Sequence, residues 1–173
     1  MSEWKMLTLV GRDKPGIVAK ITMALFEAGA KLGEASMMRL GGNFTIMLMV
    51  KSDQPIEQLN QCIESVVEEM ALTSSFQTIE ASLHQHEIPD TRITVYGADR
   101  PGIVARATTH LLGAGFNILD LESDVAGSEA DPIYIMHIEG IAAHGSDALE
   151  KAVEQIKTNG VNVDVTPIDV MIG

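Results

Sequence analysis

The sequence predicts an α+β protein made of two copies of one small unit, each running strand, helix, strand, strand, helix, strand. An internal repeat, a two-residue apolar alternation in the strand segments and a three-to-four-residue apolar spacing in the helical ones carry that prediction. Shifting the chain by 86 places sets Gly-Arg-Asp-Lys-Pro-Gly-Ile-Val-Ala (11–19) on Gly-Ala-Asp-Arg-Pro-Gly-Ile-Val-Ala (97–105). Across positions 7 to 32, 12 of 26 residues are identical to their partners without a gap. The repeat implies two domains, 1–86 and 87–173, with a polar seam at residues 84–90.

In the first unit Leu7, Leu9 and Gly11 alternate with Thr8 and Val10, which predicts a strand ended by the Asp13-Lys14-Pro15-Gly16 turn. Pro15 is pre-set for a first helical turn, and Ile17, Ile21, Leu25 and Ala28 form one apolar stripe that Gly29 stops. Segments 32–40 and 43–51 form a hairpin around Gly41-Gly42, a pair suited to a tight turn. Pro55 opens a second helix whose buried face is Ile56, Leu59, Ile63, Val66, Val67 and Met70, and a last strand is expected over 76–83. The second unit repeats the order with 93–97, 101–114, 117–125, 133–141, 146–157 and 162–170. Its hairpin is expected to differ, residues 126–132 making a longer acidic loop. Two helices on one face of a four-stranded antiparallel sheet is the ferredoxin-like arrangement. The other face of each sheet also needs cover, so pairing of units or chains is expected to bury Met37, Met47 and Met49, and a homo-oligomer follows.

Composition narrows function. The 173 residues carry 12 basic and 24 acidic side chains, a net charge of −12, with seven aromatics. Gripping a polyanion requires clustered Lys and Arg, so direct nucleic-acid binding is not expected. The longest near-apolar run, 44–50, is far below the ~20 residues needed to cross a bilayer, and the first residues do not resemble an export signal, so no membrane contact and a cytoplasmic location are expected. The single cysteine, Cys62, falls in the apolar pattern of a helix and suits a reducing compartment.

The sharpest chemical feature is the turn from first strand to first helix. Amides opening a helix suit a carboxylate or phosphate, and glycine lets a ligand approach the backbone. Asp13 and Asp99 add an anionic acceptor beside them, a combination that fits an amino-acid zwitterion. The same aspartates could equally be helix caps. Asp120, Glu122 and Asp124 alternate along one strand and put three carboxylates on one face; a charged edge, a strip for a basic partner and a cation site are all open readings. The first half of the chain carries −4 and the second −8, so the acidic surface belongs mainly to unit two. His84, His86 and Glu87 could line one side of an extended segment as metal ligands, or form a polar linker. No catalytic serine elbow, metalloprotease histidine pair or phosphate loop is present, and neither an enzyme nor a cofactor is expected.

The repeated Gly-x-Asp-Arg/Lys-Pro-Gly-Ile-Val-Ala, followed by a helix and an Asn-Ile strand start, resembles the ACT domain, and the resemblance covers both halves. It implies ferredoxin-like modules that bind amino acids at the first turn and at interfaces between paired modules. Carried over by position, it implies ligand-binding roles for Asp13 and Gly16 in unit one. In unit two the corresponding residues are Ala98, Asp99, Arg100, Pro101, Gly102 and Asn117. Lys31 stands where unit two has Asn117 and cannot accept a hydrogen bond, so unit two is the better site. Arg100 or Lys14 could aid a carboxylate or be plain exposed charges. Tandem modules without an attached enzyme imply an amino-acid-responsive regulator, glycine the first candidate, that contacts a transcriptional activator protein rather than DNA. Two rivals follow from the same residues: a ligand-free adaptor, and a module related to formyltetrahydrofolate deformylase, whose hydrolase part this sequence lacks.

Overall fold

The computed structural model describes residues 3–80, 87–158 and 160–168. Its contacts divide the chain into two compact units, Met1–Gln85 and His86–Gly173. In unit one, β1 (Glu3–Arg12), α1 (Ile17–Glu27), β2 (Lys31–Leu40), β3 (Asn43–Ser52), α2 (Ile56–Met70) and β4 (Leu72–Thr78) form a sheet of order β2-β3-β1-β4 under two helices. Unit two repeats this with β5 (Thr91–Ala98), α3 (Ile103–Gly113), β6 (Phe116–Ser128), β7 (Asp131–Ala142), α4 (Ser146–Lys157) and β8 (Asn162–Pro167), in the order β6-β7-β5-β8. All strand pairs are antiparallel.

Alternation decides which face is buried. Leu7 and Leu9 of β1 lie opposite Leu48 and Ile46 of β3, and these four meet Ile21, Leu25, Leu59 and Ile63 from the helices in a dry core. In unit two Ile93, Val95, Met136 and Ile138 play the same part against Leu111 and Ile156. Lys5 is the exception: only 4% exposed, it donates from Nζ to the Ser52 carbonyl at 2.9 Å, so one of its three donors is satisfied inside the protein.

Several expectations shift. Both first helices begin two residues late, at Ile17 and Ile103, because Gly16 and Gly102 take left-handed conformations with φ of 90° and end the turn only there. The fourth strand starts at Leu72 rather than residue 76 and ends at Thr78, and residues 81–83 of the expected strand lie outside the described residues. The eighth ends at Pro167, with 169 and 170 also outside them. Residues 126–132 are no loop. β6 and β7 pair as far as Ser128 opposite Asp131, so Glu129 and Ala130 alone make the turn. A β-bulge between Leu32 and Ala35 changes the phase of β2, which puts Met37 opposite Ile46, on the helix side of the sheet. Met38 therefore joins Met47 on the open face, both about half exposed, while Met49, also on that face, is already 7% exposed.

Candidate functional site

The Gly-x-Asp-Arg/Lys-Pro-Gly turn leaves each sheet at the end of its first strand and delivers the chain to a helix. In both units the aspartate amide is tied to the neighbouring hairpin: Asp13 N–H donates to the Gly42 carbonyl and Asp99 N–H to the Pro132 carbonyl, each at 3.1 Å. Neither aspartate caps its helix, since the N-cap residues are Gly16 and Gly102 and no side-chain cap bond forms. The capping alternative fails because the left-handed glycine intervenes between the carboxylate and the helix start. The first helical bonds run from Lys20 N–H to Gly16 and from Arg106 N–H to Gly102, which leaves the preceding amides of each helix without an intrahelical acceptor.

The two turns differ in what their side chains do. Asp13 forms an ion pair with Arg39 of β2, and Lys14 Nζ donates to the Met70 carbonyl at 2.9 Å, closing the end of α2. Lys20, one turn into α1, pairs with Glu69. Lys14 thus serves neither of its expected roles; it is a C-terminal helix cap. In unit two Asp99 and Arg100 are exposed, and neither side chain has a hydrogen-bond or ion-pair partner among the described residues. Next to them, Arg100, Arg106, Ile103, Ala107, Ile156 and Val161 border a cavity of about 170 Å³.

The structure does not bring Asn117 to this turn. Ala98 pairs with Ile133 on β7, whereas Asn117 pairs with Ile141. Eight strand positions, about 27 Å at ~3.4 Å each, separate them. Asn117 instead donates from Nδ2 to Glu87 Oε2 at 3.0 Å. A site using both Asp99 and Asn117 cannot form inside one module, and sequence spacing carried no signal of this because the intervening helix runs the length of the sheet.

Asp120, Glu122 and Asp124 pair with Glu139, His137 and Ile135 and so share the open face of the second sheet. Leu121 and Val125 take the helix side but stay 37% and 54% exposed, since β6 is an edge strand. Among the described residues no group of three acidic, His or Cys side chains is arranged to hold a metal ion. The His84 and His86 reading lies outside the described residues. No helix among the described residues is long and apolar enough to cross a membrane. Burial raises the pKa of the Cys62 thiol, partly offset by a hydrogen bond from its own backbone amide, and the thiol donates to the Leu59 carbonyl at 3.0 Å.

Two copies of one βαββαβ module, each with this glycine-bounded turn, define a tandem ferredoxin-like protein. The ACT domain model matches residues 6–77 and 92–166, and the chain belongs to the ACT domain family. Among characterised relatives it is similar to the glycine cleavage system transcriptional repressors of Escherichia coli and Shigella flexneri. Each is 27% identical over 148 residues, covering 85% of this chain and 77% of the relative. Among solved structures, an unknown protein from Galdieria sulphuraria matches with a TM-score of 0.78 at 21% identity, over 98% of this chain and 100% of that one. A candidate glycine cleavage system transcriptional repressor matches with a TM-score of 0.69 at 16% identity, over 98% and 99%. At these identities the structural likeness speaks for the fold. The tandem ACT architecture and the modest sequence likeness make this a regulatory ACT protein.

Proposed function

We propose that the protein is an amino-acid-responsive, non-enzymatic regulator that represses glycine cleavage genes by contacting a transcriptional activator in the cytoplasm. The observation that carries this is a likeness to the two repressors that runs through both modules rather than one. The amino acid, glycine first, would use the unit-two turn of Ala98, Asp99, Arg100, Pro101 and Gly102. There the free helix-start amides face the ligand carboxylate and the unpaired Asp99 carboxylate accepts from its ammonium. Asn117 would belong to the same site only if contributed by a second copy of the chain, which makes association part of the reading. The acidic face bearing Asp120, Glu122 and Asp124 is the surface we assign to the activator.

Isothermal titration with glycine and then the other amino acids tests the sensor. Saturable heat that Asp99→Ala abolishes is the expected result; no heat from any amino acid would overturn it. The pairing of Asp13 and Lys14 with their own chain favours a purely architectural role for the first turn. Activator binding that persists with Asp99→Ala and Asn117→Ala both in place, and that no amino acid alters, would extend that adaptor reading to unit two.

A further inference from the structure

Beneath the two turns the duplicated cores are packed differently. Ile21 of α1 and Ala107 of α3 stand 86 positions apart at the same place in the repeat, and both are buried. Leu72 and Val161 also correspond, since each lies against the glycine that ends its first strand, Leu72 against Gly11 and Val161 against Gly97. Met70 and Ile156, again 86 apart, occupy the last turns of α2 and α4. Ala107 has three carbons fewer than Ile21 and Val161 one fewer than Leu72, while Met70 and Ile156 each carry four side-chain heavy atoms. Unit two is therefore short of four carbons at this point, the content of a leucine or isoleucine side chain. Its chain is also looser there: residues 158–161 separate α4 from β8, against Ala71 alone between α2 and β4.

The missing carbons coincide with the cavity of about 170 Å³. Ala107, Ile156 and Val161 make it apolar, and Arg100 and Pro101 of the turn stand on its border, so cavity and turn belong to one site. Arg106 borders it as well, but it already has a partner. An apolar protein cavity of roughly 150 Å³ stays dry and takes up a hydrocarbon of about six carbons. In unit one Met70 reaches under the turn instead, its Cε 4.0 Å from where a Cβ on Gly16 would sit.

We propose that this cavity receives the side chain of the amino acid held at the unit-two turn, so that the ligand carries a branched apolar side chain of three or four carbons. Valine, leucine and isoleucine fit that description; glycine would leave the cavity empty. The inference rests on the reading that this turn holds an amino acid, and adds which class. The helix-start amides and the Asp99 carboxylate offer contacts common to every amino acid, whereas the cavity favours only those that fill it. Each buried methylene strengthens binding roughly fourfold.

Isothermal titration of the full chain with glycine, valine, leucine, isoleucine and tryptophan tests the proposal. Leucine or isoleucine should bind at least about tenfold more tightly than glycine, with valine between them. Tryptophan, too large for the space of four missing carbons, should bind at least about tenfold more weakly than leucine. Ala107→Ile, which installs the unit-one residue, should reduce the preference for leucine over glycine to about threefold or less, and Val161→Leu should lower it roughly fourfold. A thermal melt confirms that each variant is folded. Leucine binding no tighter than glycine, with both lost in Asp99→Ala, would overturn the proposal and leave the turn reading standing. No heat from any amino acid would overturn both. An undiminished preference in both folded variants would overturn the proposal as well, as would tryptophan binding as tightly as leucine.

Discussion

At the end of its first strand unit one holds Asp13 against Arg39 and Lys14 against the Met70 carbonyl, whereas the matching Asp99 and Arg100 of unit two have no side-chain partner among the described residues. The open sheet faces diverge as well. Unit one presents Met6, Val10, Met38 and Met47, while unit two presents Asp120, Glu122, Asp124, Glu139 and Asp164. A duplicated fold has thus been used twice over. One copy ties the charged side chains of its turn to its own chain and offers a more apolar sheet, and the other leaves those of its turn without a partner among the described residues and offers a more acidic sheet.

The contrast can be broken most forcefully at Gly140, whose register partners make it the equivalent of Val50. A Cβ there would overlap the Asn117 carbonyl and approach the Phe116 ring at 2.7 Å. Gly140→Val should destabilise unit two by about 3 kcal/mol or more. The only tryptophan, Trp4, lies in unit one and both tyrosines, Tyr96 and Tyr134, in unit two, so urea unfolding followed by each signal assigns the loss. Equal shifts of both signals would mean that the units unfold as one.

Next in size is the buried ammonium of unit one. Lys5→Ala strands the Ser52 carbonyl and should cost roughly 1 to 3 kcal/mol, while the matching Thr91→Ala should stay within about 0.5. Trp4 fluorescence in urea reads the first and tyrosine fluorescence the second. Smaller still, Lys14→Ala removes the bond to the Met70 carbonyl and should cost about 1 kcal/mol, against about 0.5 or less for Arg100→Ala. A larger loss from Arg100 would reverse the assignment of which turn is structural. Last, the raised Cys62 pKa means less thiolate at neutral pH, so iodoacetamide should modify it more slowly than a free thiol, with the rate still climbing above the ordinary thiol range. The matching stability term is fully present below that range and is lost as pH rises through the higher folded value.

Element order and both cores were legible in the sequence because burial follows period: Leu7, Leu9, Ile17, Ile21 and Leu25 are all buried as their spacing demands. The errors fall where tertiary context replaces period. Ser74 and Ser75 disguised β4, yet an edge strand needs apolar residues only where it meets the core, here Leu72 and Phe76. Acidic residues disguised the far end of the β6–β7 hairpin, whose edge strand is exposed at every position past Ile118. Of the site, the turn and its residues could be read, but the left-handed φ of Gly16 and Gly102 displaced the expected helix start. The distance from Asp99 to Asn117 is a property of sheet length, which no local motif encodes.

The bond from the Asp99 amide to the Pro132 carbonyl fastens the turn to the tip of the β6–β7 hairpin. β6 runs back from that tip for 13 residues, about 40 Å of edge strand carrying the acidic side chains. Whatever displaces the turn therefore pulls on one end of a stiff ribbon whose flank is the charged surface. Together with the adjoining Ala98–Ile133 pairing, that bond makes the turn and the acidic edge strand parts of one continuous backbone framework.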